Sequence, residues 1–407
     1  MDYIHLTGYK TFKDIHLELS SINILIGANG SGKSNFMSFF DFLNRLYNCS
    51  LIEYIALKGG EDKMLFQGKK VTDEIAFKLT FERANTYEVV LKIGDNGFIF
   101  NKEVIFSESK KLSIANFYTD SQLKLNVSPQ ATYIVKQLEG FRKYHFHDTG
   151  AKSPFTLQSN IENDIHYLYS NGANLAAFLY HINQENKITY HRIVKTIQTI
   201  APYFSDFFLL PNINNEVKLQ WKDKYSDMVF GATDLSDGTL RFMALTTLFL
   251  QPNLPNTIVI DEPELGLHPA AIAKLSAMIQ SAAAKGCQVI AATQSTDLIS
   301  YFEPDDIVTV DRVKGETVFK RLSKESLKQW LEDYTLDELE ETFAKYANPE
   351  MINNSQSTSP GHRLERIIKG YKKPLYGHYL TEAIGIPRIR EKCPRFNYWI
   401  ETLISIR

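Results

Sequence analysis

An α/β fold built around a parallel sheet is the class this sequence predicts, and three observations predict it. Residues 257–260, 288–292 and 307–310 are nearly unbroken apolar runs separated by helical patterns, which is how strands buried on both faces read. A further apolar run, residues 21–26, meets a glycine-rich loop, and a helical pattern begins near Lys33. Between Glu74 and Phe106, by contrast, apolar and polar residues alternate, the pattern of an antiparallel meander.

Composition narrows the class further. The 407 residues are 44% hydrophobic and 23% charged, a globular balance that excludes a disordered, collagen-like or rod-like chain. A net charge of −2 gives no overall excess of positive charge for nucleic acid. Cys49, Cys287 and Cys393 lie far apart, with no disulfide framework or zinc spacing, which fits a reducing cytosol. No signal peptide and no membrane-length apolar run is visible, so a cytoplasmic location without a membrane partner is expected.

The elements follow in order. Residues 3–6 and the alternating Ile15, Leu17 and Leu19 read as strands. The helix after Lys33 carries Phe36, Phe39, Phe40 and Leu43 on one face. Residues 75–81 and 87–93 alternate, and the turn-rich residues 94–97 precede a third run. From about Gln158 to Tyr203 the pattern is mostly helical, with Pro202 and Pro211 marking its end. A helix with Phe242, Leu245, Leu248 and Phe249 precedes the strand at 257–260, and Pro269 opens the next helix at its first position.

Residues 27–34, Gly-Ala-Asn-Gly-Ser-Gly-Lys-Ser, match the phosphate-loop pattern with a strand before and a helix after. Gly27, Asn29, Gly30 and Gly32 let backbone N–H groups turn inward around a phosphate, and the helix N-terminus adds its positive end. Lys33 is expected on the β- and γ-phosphates and the Ser34 hydroxyl on Mg²⁺. Thr257-Ile-Val-Ile-Asp261-Glu262 ends a buried strand in two carboxylates. Asp261 is placed to hold Mg²⁺ through water, and Glu262 to orient and deprotonate the attacking water. ATP and Mg²⁺ are therefore the expected cofactors.

Leu235-Ser236-Asp237-Gly238-Thr239 precedes a helix, where Ser236 suits an N-cap. Shortly before the strand ending in Asp261–Glu262, this segment also resembles the signature motif of ABC-type ATPases. The chain resembles SMC/RecF-like, ABC-type AAA family ATPases of the kind found in bacterial defence loci. The resemblance implies a P-loop ABC-type ATPase head with a mixed central sheet, an antiparallel β subdomain and a helical lobe. It also implies that Ser236 and Gly238 complete the ATP site of a second subunit, giving a homodimer through composite sites. Residues 264–269 stand at that family's D-loop. Gln294 stands where many members carry a γ-phosphate-sensing His; it can donate a hydrogen bond but cannot take a proton. Lys10 is a minor candidate for nucleotide contact. The long stretch between Lys33 and Ser236 lacks sustained heptads and is expected as a compact lobe, about residues 110–230, within a head spanning 1–340.

Other constellations carry less. Residues 144–148 hold His145, His147 and Asp148, but no partner cluster for a metal, and read as a strand end near the nucleotide. Lys136, Arg142, Lys143 and Lys152 interleave with aromatic residues and leave nucleic acid possible as a partner. Residues 336–346 form an acidic amphipathic pattern, residues 353–360 a linker, and residues 341–407 a basic tail. The tail, with residues 348–353, 370–377 and 389–399, is similar to the end of a toprim-like, uncharacterised family. That likeness implies a toprim-like protein effector as partner, although the acidic core of a nuclease is absent from this sequence. Two functions compete: an ATP-driven dimer switch controlling an effector or nucleic acid, and a slow ATP-bound scaffold holding an effector in check.

Overall fold

The computed structural model describes residues 1–323, apart from 96, 108 and 109, together with Tyr398. It opens with a hairpin, β1 (Tyr3–Tyr9) and β2 (Phe12–Glu18), then β3 (Ile22–Ile26), α1 (Lys33–Tyr47) and α2 (Leu51–Leu57). The meander follows: β4 (Glu74–Phe81), β5 (Asn85–Gly94), β6 (Gly97–Ser107) and β7 (Lys110–Ala115). Next come α3 (Pro129–Glu139), β8 (Phe141–Tyr144), the short β9 (Ser159–Asn160), α4 (Leu175–Glu185) and α5 (Lys187–Gln198). Small strands β10 (Phe204–Phe207), β11 (Glu216–Val217), β12 (Gln220–Asp223) and β13 (Val229–Gly231) lead to α6 (Asp237–Leu250). The last stretch is β14 (Thr257–Asp261), α7 (Pro269–Ala284), β15 (Gln288–Thr293), β16 (Ile307–Val313) and β17 (Glu316–Arg321).

Two large sheets result. One is antiparallel throughout, in the order β2-β1-β4-β5-β6-β7. The other runs β17-β16-β3-β15-β14-β8 and is parallel except for its edge strand β17. The expected mixed central sheet and antiparallel β subdomain are both present. β8 lies inside the segment expected as a lobe yet forms an edge of the parallel sheet. The rest of that segment includes α4, α5 and the three-stranded sheet β10-β12-β13.

Two compact units make up the chain, one of Met1–Leu298 with Asp306–Arg321, the other of Ile299–Asp305 with Leu322–Arg407. In the second, Phe302 N–H donates to the Ile299 carbonyl at 3.0 Å. The acidic helix, the linker and the basic tail expected beyond residue 323 lie outside the described residues, as does the boundary at 340.

Helix α1 is the core of the first unit. Phe36, Met37, Phe39, Phe40, Phe42 and Leu43 are all buried, so the helix has a broad apolar face, with Ser34 and Arg45 exposed on the opposite side. They share one cluster with Leu6, Phe77 and Leu79 of the antiparallel sheet and with Val259, Ile290 and Val308 of the parallel one. The helix therefore joins the two sheets rather than covering one of them. On α7, Pro269 occupies the first turn as expected, and Gly286 and Cys287 N–H groups close the far end on Ala283 and Ala282.

One expectation is corrected. The helical reading from Gln158 onward holds only for α4 and α5, because residues 159–174 form β9 and turns. Their polar side chains compete with a helix for the backbone. Asn160 Oδ1 accepts from Glu162 and Asn163 N–H, Asp164 accepts from Asn160 N–H, and Asn174 donates to the Asp164 and Tyr167 carbonyls.

Phe39 is fully buried, its ring 5.6 Å from that of Tyr9 and 5.5 Å from that of Phe77. Phe39→Ala is expected to cost about 3–5 kcal/mol of stability, read as a lower urea midpoint at unchanged slope.

Candidate nucleotide site

The parallel register sets the site. Thr293 of β15 pairs with Ile26 of β3, and Asp261 of β14 with Ala292 of β15, so three strands end level. The loop 27–34, the Asp261–Glu262 pair and Gln294 thus share one sheet edge, where ligands gather in open α/β folds.

The loop is built tightly. Gly32 caps α1 with φ 117°, and a Cβ there would lie 2.3 Å from Thr317 Oγ1, so neither the conformation nor the space admits another residue. Thr317, on β17, braces the loop from behind. Its hydroxyl donates to the Ser31 carbonyl at 2.8 Å and pairs with the Thr11 hydroxyl at 2.9 Å, while its N–H donates to the Thr11 carbonyl at 3.0 Å. The buried Ser31 hydroxyl has no hydrogen-bond partner among the described residues, an unmet polar group in a loop shaped for an anion. The Lys33 ammonium is buried and donates to the carbonyls of Gly27 at 2.6 Å and Ala28 at 3.1 Å. Ser34 is exposed in the first turn of α1, and Asn29 and Gly30 are exposed at the loop's tip.

The acidic edge is equally specific. Burial first, and then the neighbouring Glu262, pushes the Asp261 carboxyl up, while His147, Lys143 and His145 oppose that shift. Glu262 sits at φ 40°, a left-handed conformation that costs a non-glycine residue about 1–3 kcal/mol. Its N–H is held by the Ala292 carbonyl at 2.8 Å. Gln294 Nε2 donates to Glu262 Oε1, so the two residues expected to act together are in contact. Buried Glu264 accepts from Thr293 Oγ1, its Oε2 has no hydrogen-bond partner among the described residues, and burial pushes its carboxyl up. A Ser34 hydroxyl with carboxylates is a set of hard oxygen donors, which fits Mg²⁺.

Ser236 is the N-cap of α6, its Oγ accepting from Thr239 N–H at 3.3 Å. Gly238 packs so closely that a Cβ there would lie 2.4 Å from the Gly266 carbonyl. Arg241, one turn further along, ties three segments together. Its Nε donates to the Phe146 carbonyl at 3.0 Å, Nη2 to the His147 carbonyl at 2.7 Å and Nη1 to the Leu265 carbonyl at 2.6 Å. The strand β8 ends at Tyr144, so His145 and His147 leave the sheet with their rings 4.0 Å apart. His147 Nε2 donates to the Asp261 carbonyl at 3.0 Å, and burial, then His147, lowers the pKa of His145.

Sequence reasoning missed Thr317 and the bonds made by Glu264 and Arg241. Thr317 lies in a hairpin without a motif, whereas Arg241 stood in plain sight beside the signature. The Lys10 ammonium donates to Ser38 Oγ on α1 at 2.7 Å and lines a cavity of about 460 Å³ with Thr11, Asn35, Lys58 and Lys63. Of the four interleaved basic residues, Arg142 and Lys143 line a second cavity of about 580 Å³ with Arg45, Lys58 and Tyr167, while Lys136 and Lys152 do not.

A phosphate loop after one strand and an acidic pair after its near neighbour define a P-loop nucleotide-binding head of mixed α/β architecture. The family described as "AAA domain, putative AbiEii toxin, Type IV TA system" matches residues 22–142 and 203–300, more than half of the 407 residues, and the chain belongs to it. Residues 323–404 match a domain of unknown function, DUF4276. An SMC head bound to the C-winged helix domain of ScpA is similar over 81% of this chain and 99% of that one, with 15% identity and a TM-score of 0.54. A Pyrococcus furiosus Smc head with an extended coiled coil, bound to the C-terminal domain of ScpA, is similar over 82% and 98%, with 16% identity and a TM-score of 0.50. The fold is that of an SMC-type ATPase head. No curated protein matches the chain in sequence. Among the described residues no helix is long and apolar enough to cross a membrane.

Burial, then the charges of Lys58 and Lys143, lowers the Lys10 pKa from its ordinary 10.5 to about 8. Between those values the unfolded chain binds the extra proton, so this group's contribution to stability rises with pH from about 8 to 10.5. The wild-type urea midpoint is expected to gain on that of Lys10→Met across this window, and parallel curves would refute the assignment.

Proposed function

We propose that the protein binds ATP with Mg²⁺ and hydrolyses it, switching between an open state and a closed dimer. The convergence of the phosphate loop, Asp261–Glu262 and Gln294 at one sheet edge carries this reading. Lys33 would exchange the Gly27 and Ala28 carbonyls for the β- and γ-phosphates, and the Ser31 hydroxyl would gain a partner. Ser34 and Asp261 would hold the Mg²⁺, whose charge offsets that of the phosphates. Glu262 would take the proton of the attacking water. Gln294, already bonded to Glu262, would keep that carboxylate aimed. Glu262→Gln is expected to bind ATP and lower phosphate release about 10²–10⁴-fold. Equal, slow release by wild type and variant would instead favour the alternative of an ATP-bound scaffold, which the neutral Gln294 also suits.

The dimer part of the proposal assigns Ser236 and Gly238 to the partner's ATP. A substitution at Gly238 would disturb its own chain at Gly266, so Ser236 is the better probe. Ser236→Asp keeps an N-cap of similar strength and adds a negative charge against a γ-phosphate in trans. Ser236→Asp and Lys33→Ala are each expected to be inactive. Mixed together they form one site with both defects and one with neither, so part of the phosphate release returns. No recovery from proven heterodimers would sink the composite-site assignment.

The family description names a toxin of a type IV toxin–antitoxin system, and a domain of unknown function follows the head in the same chain. Both support an output in bacterial defence, through that C-terminal segment or through a separate effector such as a toprim-like protein. Induced expression is expected to slow growth of a bacterial host, and Lys33→Ala to restore it. Equal growth of both strains would remove the effector role.

A further inference from the structure

The exposed face of the β1–β2 hairpin carries a second constellation that the nucleotide chemistry does not use. His5 and His16 are directly opposed in the antiparallel register, and Asp14 stands two pairs further along on the same face, opposite Thr7. Cross-strand partners on one face hold their side chains close, and these converge. His5 Nε2 lies 2.9 Å and His16 Nε2 3.3 Å from the same Asp14 oxygen, and the two rings stack at 4.1 Å and 14°. Among the described residues this is the group of three His, Cys, Asp or Glu side chains whose ligand atoms all lie within 4.8 Å of one another.

We propose that His5, Asp14 and His16 form a binding site for a divalent transition-metal ion, with Zn²⁺ the best match. Donors about 2.0–2.1 Å from a tetrahedral zinc lie about 3.3 Å apart, close to the separations found here. Two imidazoles and one carboxylate are a borderline donor set that suits zinc better than Mg²⁺. Tyr3 provides the outer partner such sites use. Its hydroxyl faces His16 Nδ1 and can accept that N–H, which leaves the Nε2 lone pair for the metal. The partly exposed position leaves the fourth coordination place to water. The ion would staple the hairpin whose turn carries Lys10, bonded to Ser38 on α1, and Thr11, bonded to the Thr317 that braces the phosphate loop.

The competing arrangement is a metal-free cluster in which both imidazole N–H groups donate to Asp14. Zinc titration of the full chain, in competition with a chelating dye and with excess Mg²⁺ present, separates the two. Wild type is expected to take up one Zn²⁺ more per chain than His16→Ala, and zinc is expected to raise the melting temperature of wild type only. Tyr3→Phe, which keeps all three ligands, should weaken uptake about tenfold to a hundredfold. All three side chains are partly or largely exposed, so the variants are expected to keep the fold, checked by matching urea midpoints without zinc. Should His16→Ala fail to fold, the Tyr3→Phe comparison carries the test. Equal zinc uptake by the folded variants and wild type, or none by wild type at micromolar zinc, would overturn the site.

Discussion

The alignment of three parallel strand ends is the constraint on which the rest of this molecule depends. With β3, β15 and β14 hydrogen-bonded in adjacent order, a shift of one residue would reverse the facing of every side chain and separate the loop from its carboxylates. The register is held by burial on both faces, since Ile24, Leu25, Ile258, Val259, Ile290 and Ala291 have no route to water. Apolar packing thus fixes a polar site, and the buried polar side chains of these strands are bonded: Asn23 donates to the Ser20 and Val289 carbonyls, and Thr293 to Glu264.

Around that edge, single side chains join segments that are far apart in sequence. Arg241 binds three carbonyls from the signature helix outward, and charge-assisted bonds of this kind are worth more than neutral ones. Since a Cβ at Gly266 would lie 2.8 Å from the same guanidinium, residues 264–269 are shaped around the arginine. One side chain of α6 thereby ties the turn at Phe146–His147 to the segment at Leu265. Glu262 belongs to the same economy: its left-handed backbone persists because Ala292 and Gln294 hold both ends of the residue.

Much of this was legible in the sequence because the signals are local. The loop residues 27–34, the strand ending in Asp261–Glu262 and the alternating meander each announce themselves within a dozen residues, and the structure places them as expected. Thr317 could not be read, since its meaning arises only when β17 lies behind a loop nearly three hundred residues earlier in the chain. Residues 159–174 misled for the opposite reason. Their apolar spacing suggested a helix, but Asn160, Asp164 and Asn174 spend their hydrogen bonds on the backbone and prevent one. Pattern recognises burial, while such side-chain competition is decided atom by atom.

The brace behind the phosphate loop also has a mechanical side. β17 is an edge strand, zipped to β16 along its length, and only a few residues separate Thr317 from residue 323, where the match to the domain of unknown function begins. Tension directed along β17 would be borne by its pairs with β16. An edge strand loaded along its axis resists in shear, with all its rungs sharing the force. Load reaching Thr317 arrives at the Ser31 carbonyl, in the middle of the loop. Through Thr317 the integrity of this edge hairpin and that of the cradle for phosphate become a single mechanical property.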